Sequence, residues 1–332
     1  MRPATRYLRA DAMAKLPTRF ETAVRAARAH LVRLEGWLSA YRLPLSMVAF
    51  NVTGAASLVW LCGWRGVSAT DLVVFGTMYL LGVIGLEIGM HRYFSHRAFE
   101  VTPALRNALV ILGSMGGQGS ALVWATNHRK HHRFADQDGD PHSPRPRGEG
   151  RIGVLRGLVH GHFTWHFAEA TSMGMRDLHR YGRDLVSDRD LMRVDRYFWR
   201  WVALGMVVPA IAGLAVTRTL DGAFTAFLWG GPVRVFAVDN AIWMINSVAH
   251  SCGPAPFDAR DRSRNVWWLV VPLLGGGWHN THHAFPGSAR MALLPGQIDP
   301  GFWIIRALEC LGQAHSLRVA QPRGDSSPPA PD

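Results

Sequence analysis

The sequence predicts an all-α integral membrane protein with four transmembrane helices and a cytosolic helical cap that holds a histidine-rich site for two metal ions. Three observations support this fold class. The chain has 332 residues, of which 48% are hydrophobic. Its apolar residues fall into runs close to the roughly 20 residues that a helix needs to cross a bilayer. Most of its 16 histidines lie in short clusters just beyond these runs.

Residues 1–42 are predicted to form a basic amphipathic segment. Phe20, Val24, Ala27 and Leu31 recur at three- and four-residue steps among arginines, which is typical of an amphipathic helix. Such a helix either packs on its own protein or lies on anionic lipid headgroups, and the sequence leaves both alternatives open. The opening stretch lacks the apolar core of a signal peptide, so we expect no cleavable leader.

Four apolar runs are predicted to cross the membrane, and they cover residues 43–64, 71–90, 198–216 and 224–250. A fifth run, residues 104–125, is interrupted by GSMGGQGS, whose glycines disfavour a helix. If this run does not cross, both termini and the loop from His91 to Tyr197 share one side of the membrane. That side carries the arginine-rich stretches, and the positive-inside rule makes it cytosolic.

The charge and the cysteines exclude two classes of protein. The formal net charge is +12, but the basic residues flank apolar segments and no nucleic-acid-binding motif accompanies them. We therefore expect no nucleic-acid partner. The three cysteines are far apart and form no CxxC pair, which argues against a disulfide framework and against a thiolate metal site.

Nine histidines form a constellation at the ends of the apolar runs. HRYFSH contains two, HRKHH three, NSVAH one and HNTHH three, and they are His91, His96, His128, His131, His132, His250, His279, His282 and His283. On a helix, the three- and four-residue spacings of each HxxHH put its imidazoles on one face, where they can share a metal site. His91 and His96 are five residues apart and point away from each other on a regular helix, so they must serve different metals or straddle a bend.

The type and number of the ligands limit which metal the site can hold and how many ions. Imidazoles without a thiolate suit iron, copper, zinc or nickel, and nine imidazoles are too many for one ion and about right for two. Six other histidines are interpreted as ordinary surface or packed residues, namely His30, His160, His162, His166, His179 and His315.

HRYFSH, HRKHH and HNTHH resemble the three histidine boxes of the membrane fatty acid desaturases, in particular the bacterial form of the acyl-CoA Δ9 (stearoyl-CoA) branch. The similarity extends over roughly residues 45–315. It implies a desaturase domain at residues 43–316, located in the bacterial inner membrane with its metal site in the cytosol. Residues 317–332, which are rich in proline and serine, are predicted to be a disordered tail.

The resemblance also implies the chemistry. Two iron ions (Fe2+/Fe3+), held by the nine histidines with Asn246 as a water-mediated partner, would reduce O2 to water. A cis double bond, at Δ9, would be introduced into a saturated long-chain acyl-CoA or acyl lipid. No haem or iron–sulfur motif is present, so an external donor (ferredoxin, a reductase or a cytochrome b5-like protein) is expected to dock on the basic cytosolic face.

Several further residues are candidates for the surroundings of the metals. Trp124 and Trp243 are predicted to line a bent apolar tunnel for the substrate, with ordinary core packing as the alternative. Asp136, Asp138 and Asp140 either orient ligand imidazoles or pair with cytosolic arginines, and the pairing is the favoured interpretation. Arg129, Lys130 and Arg133 would suit an anionic headgroup, although a solvated basic face explains them equally well.

The chain departs from the family pattern at two positions. The family usually reads GEGWHN before the third box, whereas this chain has Gly276 in place of the acidic residue. Conversely, Glu87 lies one helical turn before His91, where the family usually has a small or polar residue. An ionisable group in a membrane helix indicates function, and we predict that Glu87 supplies the acidic role that the third box has lost.

Two rival functions remain. Membrane hydroxylases and related di-iron oxygenases of lipids use similar histidine boxes and are distinguished by their product. A histidine-rich metal transporter belongs to a different class and predicts ionisable residues along a path through the spanning helices, whereas here the histidines gather on one side.

Overall fold

The computed structural model describes residues 19–172 and 174–321, and the side chains of residues 40–168, 174 and 176–321. The predicted N-terminal segment before residue 19 and the predicted tail from residue 322 lie outside the described residues, as does the apolar face predicted for residues 20–31. Residues 317–321 are described, and the backbone of Arg318 hydrogen-bonds to that of Ala98 and Ala289.

The described residues are mostly helical. In chain order the helices are α1 (Arg19–Trp60), α2 (Ala69–Val83), α3 (Pro103–Ser114), α4 (Ala121–Phe134), α5 (Gly150–Val159), α6 (Trp165–Ser172), α7 (Met175–Tyr181), α8 (Arg183–Ser187), α9 (Arg189–Asp195), α10 (Phe198–Thr217), α11 (Leu220–Leu228), α12 (Arg234–Ser247), α13 (His279–Ala284) and α14 (Pro300–Cys310). Wider, π-helical turns occupy Leu61–Arg65, Ile84–Ser95, His160–Thr164 and Trp229–Val233, and Trp267–Leu269 is a short 3-10 helix. Two antiparallel strands, β1 (Glu100–Val101) and β2 (Ala314–His315), pair Glu100 with His315.

Three helical segments are long and apolar enough to cross a membrane, at Ala40–Arg65, Ala69–Ser95 and Phe198–Thr217. They correspond to the first three predicted spans, and each extends beyond the predicted bounds at one or both ends. The first two continue from an α-helix into a π-helical turn.

The fourth predicted span, residues 224–250, is helical as far as Ser247 but is not among these three. It is built from α11, a π-helical turn and α12, and it carries the fully buried charges Arg234 and Asp239. The Arg234 guanidinium donates to the carbonyl oxygens of Met115 and Gly205 at 2.8 and 3.2 Å. A buried charge is tolerated only with such partners. The charged residues make this segment less apolar, but their hydrogen bonds are made inside the protein.

The glycine-interrupted run at residues 104–125 does not form one helix. Thr102 caps the start of α3, and Ser120 caps the start of α4. Between these helices Gly117 and Gly119 have positive φ values of 81° and 111°, a conformation that glycine adopts without steric cost. The run is therefore a helix, a turn and a second helix.

The helix that carries the first histidines packs closely against α3. A Cβ atom at Gly85 would lie 2.0 Å from the backbone nitrogen of Gly113, so only glycine permits this approach. Around the contact, Leu86, Met90, Leu109 and other buried side chains form the main hydrophobic core. This packing fixes the end of the second apolar helix beside α4, which carries the next histidines.

Candidate metal centre

The segment Ile84–Ser95 is π-helical; it contains His91, and His96 is the residue that caps its C-terminal end. In a π-helix the backbone bond runs from residue i to i+5, and here the His96 N–H donates to the His91 carbonyl at 3.3 Å. The wider turn brings the two rings to the same side, with centroids 5.2 Å apart. The five-residue spacing, which predicted different metals or a bend, is accommodated by this change of helix type.

Five histidines converge at the end of this helix, and we call them the five-histidine cluster: His91, His96, His128, His132 and His282. Their Nε2 atoms face one another. The distance from His91 Nε2 to His282 Nε2 is 3.0 Å, and from His96 Nε2 to His128 Nε2 it is 2.8 Å. The arrangement therefore joins side chains from the first, second and third histidine motifs.

The other four histidines form a second group, the four-histidine cluster: His131, His250, His279 and His283. His250 Nε2 lies 2.9 Å from His279 Nε2, and His131 Nε2 lies 3.3 Å from His283 Nε2. All four residues are buried. The structure thus divides the nine predicted histidines into groups of five and four, and His250, from the end of the fourth apolar segment, belongs to the smaller group.

Each HxxHH motif is split between the two clusters. In α4, His128 and His132 join the five-histidine cluster while His131 joins the four-histidine cluster. In α13, His279 and His283 belong to the four-histidine cluster, whereas His282 belongs to the five-histidine cluster. Residues four apart share a helix face, so these two histidines of each motif lie in the same cluster, and the third points to the other cluster. Each motif therefore contributes to both clusters and not, as the spacing predicted, to one shared site.

Four carboxylates bind the outer nitrogens of these rings. Glu87 Oε2 lies 2.9 Å from His91 Nδ1 in the five-histidine cluster. In the four-histidine cluster, the carboxylates of Asp140, Asp136 and Asp261 lie 3.0, 2.8 and 2.6 Å from Nδ1 of their histidine partners, which are His131, His250 and His283 respectively. A carboxylate at Nδ1 fixes the ring orientation and the tautomer of a metal-binding histidine.

The favoured pairing of the sequence aspartates with arginines is wrong for two of them. Asp136 and Asp140 are buried against imidazoles, whereas Asp138 is exposed and pairs with Arg145 at 3.3 Å. The turn after α4 explains the difference, because Asp136 adopts a left-handed backbone (φ 58°) and its backbone N–H donates to Asp140 at 2.8 Å. This turn directs alternate aspartates inward.

The protonation of the rings suits a metal ion. Burial, reinforced by neighbouring imidazoles, lowers the pKa of His128 and His282 well below the usual value, so both rings are neutral at pH 7. His131 and His283 each hold a carboxylate at Nδ1, which leaves a lone pair on each Nε2, and these two lone pairs face each other. Burial lowers the pKa of His131, but Asp140 more than offsets this and raises it. In the same cluster, burial and the neighbouring imidazoles lower the pKa of His283 well below its usual value, so this ring is neutral at pH 7. Neutral imidazoles form an all-nitrogen donor set, which fits iron.

A narrow cavity lies against the five-histidine cluster. Trp124 stacks on His128 with ring centroids 5.0 Å apart, and Trp243 lies in the cavity wall together with Asn246. Five polar atoms in this wall have no hydrogen-bond partner among the described residues: Asn127 Oδ1, His142 Nδ1, Trp165 Nε1, His166 Nε2 and Trp243 Nε1. Unpaired buried polar atoms are unusual, and their grouping indicates a place for a polar group of a bound molecule.

The position of Gly276 bears on the carboxylate at His91. A Cβ atom there would lie 2.9 Å from Glu87 Oε1. The Glu87 carboxylate therefore occupies the space next to the glycine that replaces the acidic residue of the family pattern. The prediction that Glu87 supplies the acidic role missing from the third box requires these two positions to be close.

Three residues at the site were missed by sequence reasoning. Asp261 lies in an irregular loop and belongs to no motif, so nothing in its spacing distinguishes it. His142 was assigned no role although it follows the second box closely, and it is buried with its ring 4.2 Å from that of His131. His166 was interpreted as ordinary, but the sequence WH at 165–166 places two polar rings against the cavity.

The chain matches the family model described as fatty acid desaturase over residues 69–293. It is 41% identical over 267 residues to the hex-5-enoyl-(acyl-carrier protein) acetylenase of Moorena producens, covering 80% of this chain and 81% of that protein. It is 32% identical to the sn-2 palmitoyl-lipid 9-desaturase of Nostoc sp., covering 84% and 92% of the two chains. The sn-1 stearoyl-lipid 9-desaturase of Anabaena variabilis is 31% identical, with coverage of 73% and 81%.

The residues matched by the family model include the histidine motifs that the structure gathers into two adjoining clusters. None of the three relatives is named for an acyl-CoA substrate, and one is named for making a triple bond. The chain is thus a bacterial-type member of the fatty acid desaturase family, an oxidoreductase that acts on fatty acyl chains.

Proposed function

We propose that this protein is an O2-dependent di-iron desaturase that introduces a cis double bond, at Δ9, into a saturated long-chain acyl-CoA or acyl lipid. The observation that carries the proposal is the convergence of nine histidine Nε2 atoms into groups of five and four, with carboxylates behind four of the rings. Two relatives named as 9-desaturases support the Δ9 position.

The nine histidines would hold two iron ions, one in each cluster. Bound iron supplies, with O2, an oxidant strong enough to remove hydrogen from an unactivated methylene, which no side chain can do. Glu87, Asp136, Asp140 and Asp261 hold the ligand rings in place and fix their tautomers. Asn246, in the cavity wall, is placed to position a water molecule or the substrate beside His128.

Only the reacting carbons of the acyl chain would lie in the cavity beside Trp124 and Trp243, since the volume of this cavity is about 60 Å3. Their rings give it an apolar wall next to the five-histidine cluster and exclude water from the reacting carbons.

The proposal includes the membrane topology. We infer four spans, the fourth being residues 224–250, in the bacterial inner membrane, with both termini and the metal clusters in the cytosol. Tags at either terminus should be protected from protease added outside, and tags near Arg65 or near residues 218–221 should be cleaved. Cleavage of the 91–197 loop from the outer face would contradict this topology.

Product analysis tests the reaction. A desaturase-deficient bacterial host expressing the chain should accumulate monounsaturated acyl chains, and analysis of their methyl esters should place the double bond at carbon 9. A matched host expressing His250→Ala controls for background activity. Hydroxy fatty acids as the main product would indicate the related di-iron hydroxylase or oxygenase, and metal uptake without any new lipid would indicate the transporter.

The 41% identity to an acetylenase makes acetylenase activity the second candidate. The same removal of two hydrogens, applied to an existing double bond, gives a triple bond. Feeding the host saturated and terminally unsaturated acyl chains in parallel distinguishes the two, because a desaturase converts the first and an acetylenase the second.

A further inference from the structure

A wide groove of about 860 Å3 opens beside the two clusters. Its walls include His132 from the five-histidine cluster and His283 from the four-histidine cluster. It shares no wall residue with the narrow cavity that contains Trp124 and Trp243. The histidine clusters therefore border two separate cavities.

The groove is strongly basic. Its wall contains four arginines, Arg129, Arg133, Arg260 and Arg318, and its single carboxylate is Asp261, which is hydrogen-bonded to His283. Arg129 is paired with Asp184 at 2.6 Å. The other three arginines are exposed and make no ion pair within the described part of the chain.

Apolar residues also line the groove. Ala284, Phe285, Pro286 and Val319 contribute to it, and none of the wall residues belongs to the three membrane-length segments. A surface that combines several arginines with a few apolar residues suits a transient, electrostatically guided protein contact.

We propose that this groove is the docking surface for an acidic one-electron carrier protein that reduces the metal centre. The proposal rests on the proposed function. Converting –CH2–CH2– to –CH=CH– releases two electrons and two protons, while reducing O2 to two H2O consumes four of each. Two electrons, delivered singly by two reduced carriers, and two protons from solvent complete the balance.

Charge and position favour an electron carrier over a carrier of the substrate. A substrate must enter the cavity beside Trp124, whereas an electron needs only a close approach to a ligand. His132 and His283 present one ligand from each cluster to the groove. The excess of arginines would accelerate the encounter with an acidic protein, and salt would screen this attraction.

The test uses the iron-loaded protein in detergent and an acidic plant-type [2Fe–2S] ferredoxin as the probe. The variant Arg133→Glu/Arg260→Glu/Arg318→Glu reverses the charge of the groove. The matched control, Arg151→Glu/Arg156→Glu/Arg189→Glu, makes the same charge change at exposed arginines outside it. Stopped-flow spectroscopy measures oxidation of reduced ferredoxin by the ferric protein, and ferredoxin binding is measured without turnover.

We expect the groove variant to lower both ferredoxin affinity and the second-order rate at least about tenfold at low ionic strength, and the control variant to change them much less. The wild-type rate should fall steeply with added salt and the variant rate should not. Iron content and reduction by dithionite, a small reductant, should be the same in all three proteins.

Equal losses in the groove and control variants, or no ferredoxin binding by the wild type, would overturn the proposal. So would a groove variant with normal ferredoxin kinetics but a raised KM for acyl-CoA or acyl-(acyl-carrier protein) under dithionite, since the groove would then serve the substrate. A wild type that binds no iron, or forms no acyl product with dithionite and O2, would instead contradict the proposed function itself.

Discussion

The two histidine clusters differ in the carboxylates behind them. The five-histidine cluster has one, Glu87 at His91, while the four-histidine cluster has three, Asp136, Asp140 and Asp261. Carboxylates neutralise metal charge and raise the basicity of the rings that they hold. The cluster with fewer imidazoles is thus the more negative one, and its metal ion should be the harder to reduce.

The largest expected effect comes from removing a ligand. His250→Ala leaves three histidines in the four-histidine cluster, whereas His132→Ala leaves four in the other. We expect both variants to lose more than about 100-fold in activity, beyond the loss typical of changes next to a ligand. His250→Ala should bind about one iron fewer per chain, and His132→Ala should retain more.

Iron content of purified, membrane-inserted protein measures this difference. Asn246→Ala is the control, since it changes the cavity wall one turn before His250 and should reduce activity with less iron loss. Full activity of iron-replete His250→Ala would remove His250 from the ligands and leave an eight-histidine site.

Removing a carboxylate should have the next largest effect. Asp261→Asn and Glu87→Gln each remove one charge while keeping the side-chain size, and we expect metal affinity or turnover to fall about 10–100-fold in each. Asp261→Asn should also raise the reduction potential of the centre, because it removes negative charge from the more negative cluster. Redox titration followed by iron spectroscopy measures this shift; an unchanged potential would contradict the charge comparison.

Glu87→Gln with normal turnover and iron retention would make Glu87 a packing residue.

A smaller effect is expected at Gly276. Gly276→Ala places a methyl group against Glu87 Oε1, at the 2.9 Å calculated for an added Cβ, and overpacking of this kind costs about 1–3 kcal/mol. Turnover should fall severalfold because Glu87 is displaced from His91. In a Glu87→Ala background the same substitution should cost almost nothing. Additive losses in the double variant would show that the two positions act independently.

The smallest effect concerns Asp184, which lies outside both clusters and accepts hydrogen bonds from Arg129 and Arg97. Burial raises its pKa, but these bonds more than offset that and lower the pKa to about 2. Because the folded-state pKa is below the unfolded value, the stabilisation is present above about pH 4 and is lost as the pH falls towards 2. Asp184→Asn should therefore have a lower Tm than the wild type at pH 7, and the gap should narrow below pH 4. A constant gap would contradict the charge assignment.

The sequence identified all nine clustered histidines because their motifs are local, but it could not divide them between clusters. That division depends on how α4 and α13 face each other, which no spacing within one motif determines. Asp261 was missed for the same reason, since its partner His283 is 22 residues away across a loop. The first three apolar runs were predicted because hydropathy reports them directly. The fourth run was also predicted, but it is less apolar because it contains Arg234 and Asp239. The partners of these two charges are brought together only in the folded protein.

The π-helical turn at His91 and His96 has a consequence for how this site tolerates insertions and deletions. An α-helix places residues four apart on one face, whereas a π-helical turn places residues five apart on one face. A π-helical turn therefore corresponds to an α-helical turn with one inserted residue. Deleting one residue between these histidines would let the segment relax to α-helix while keeping both rings on one side. We therefore expect a spacing of four to be compatible with this architecture, whereas a spacing of six would turn one ring away from the cluster.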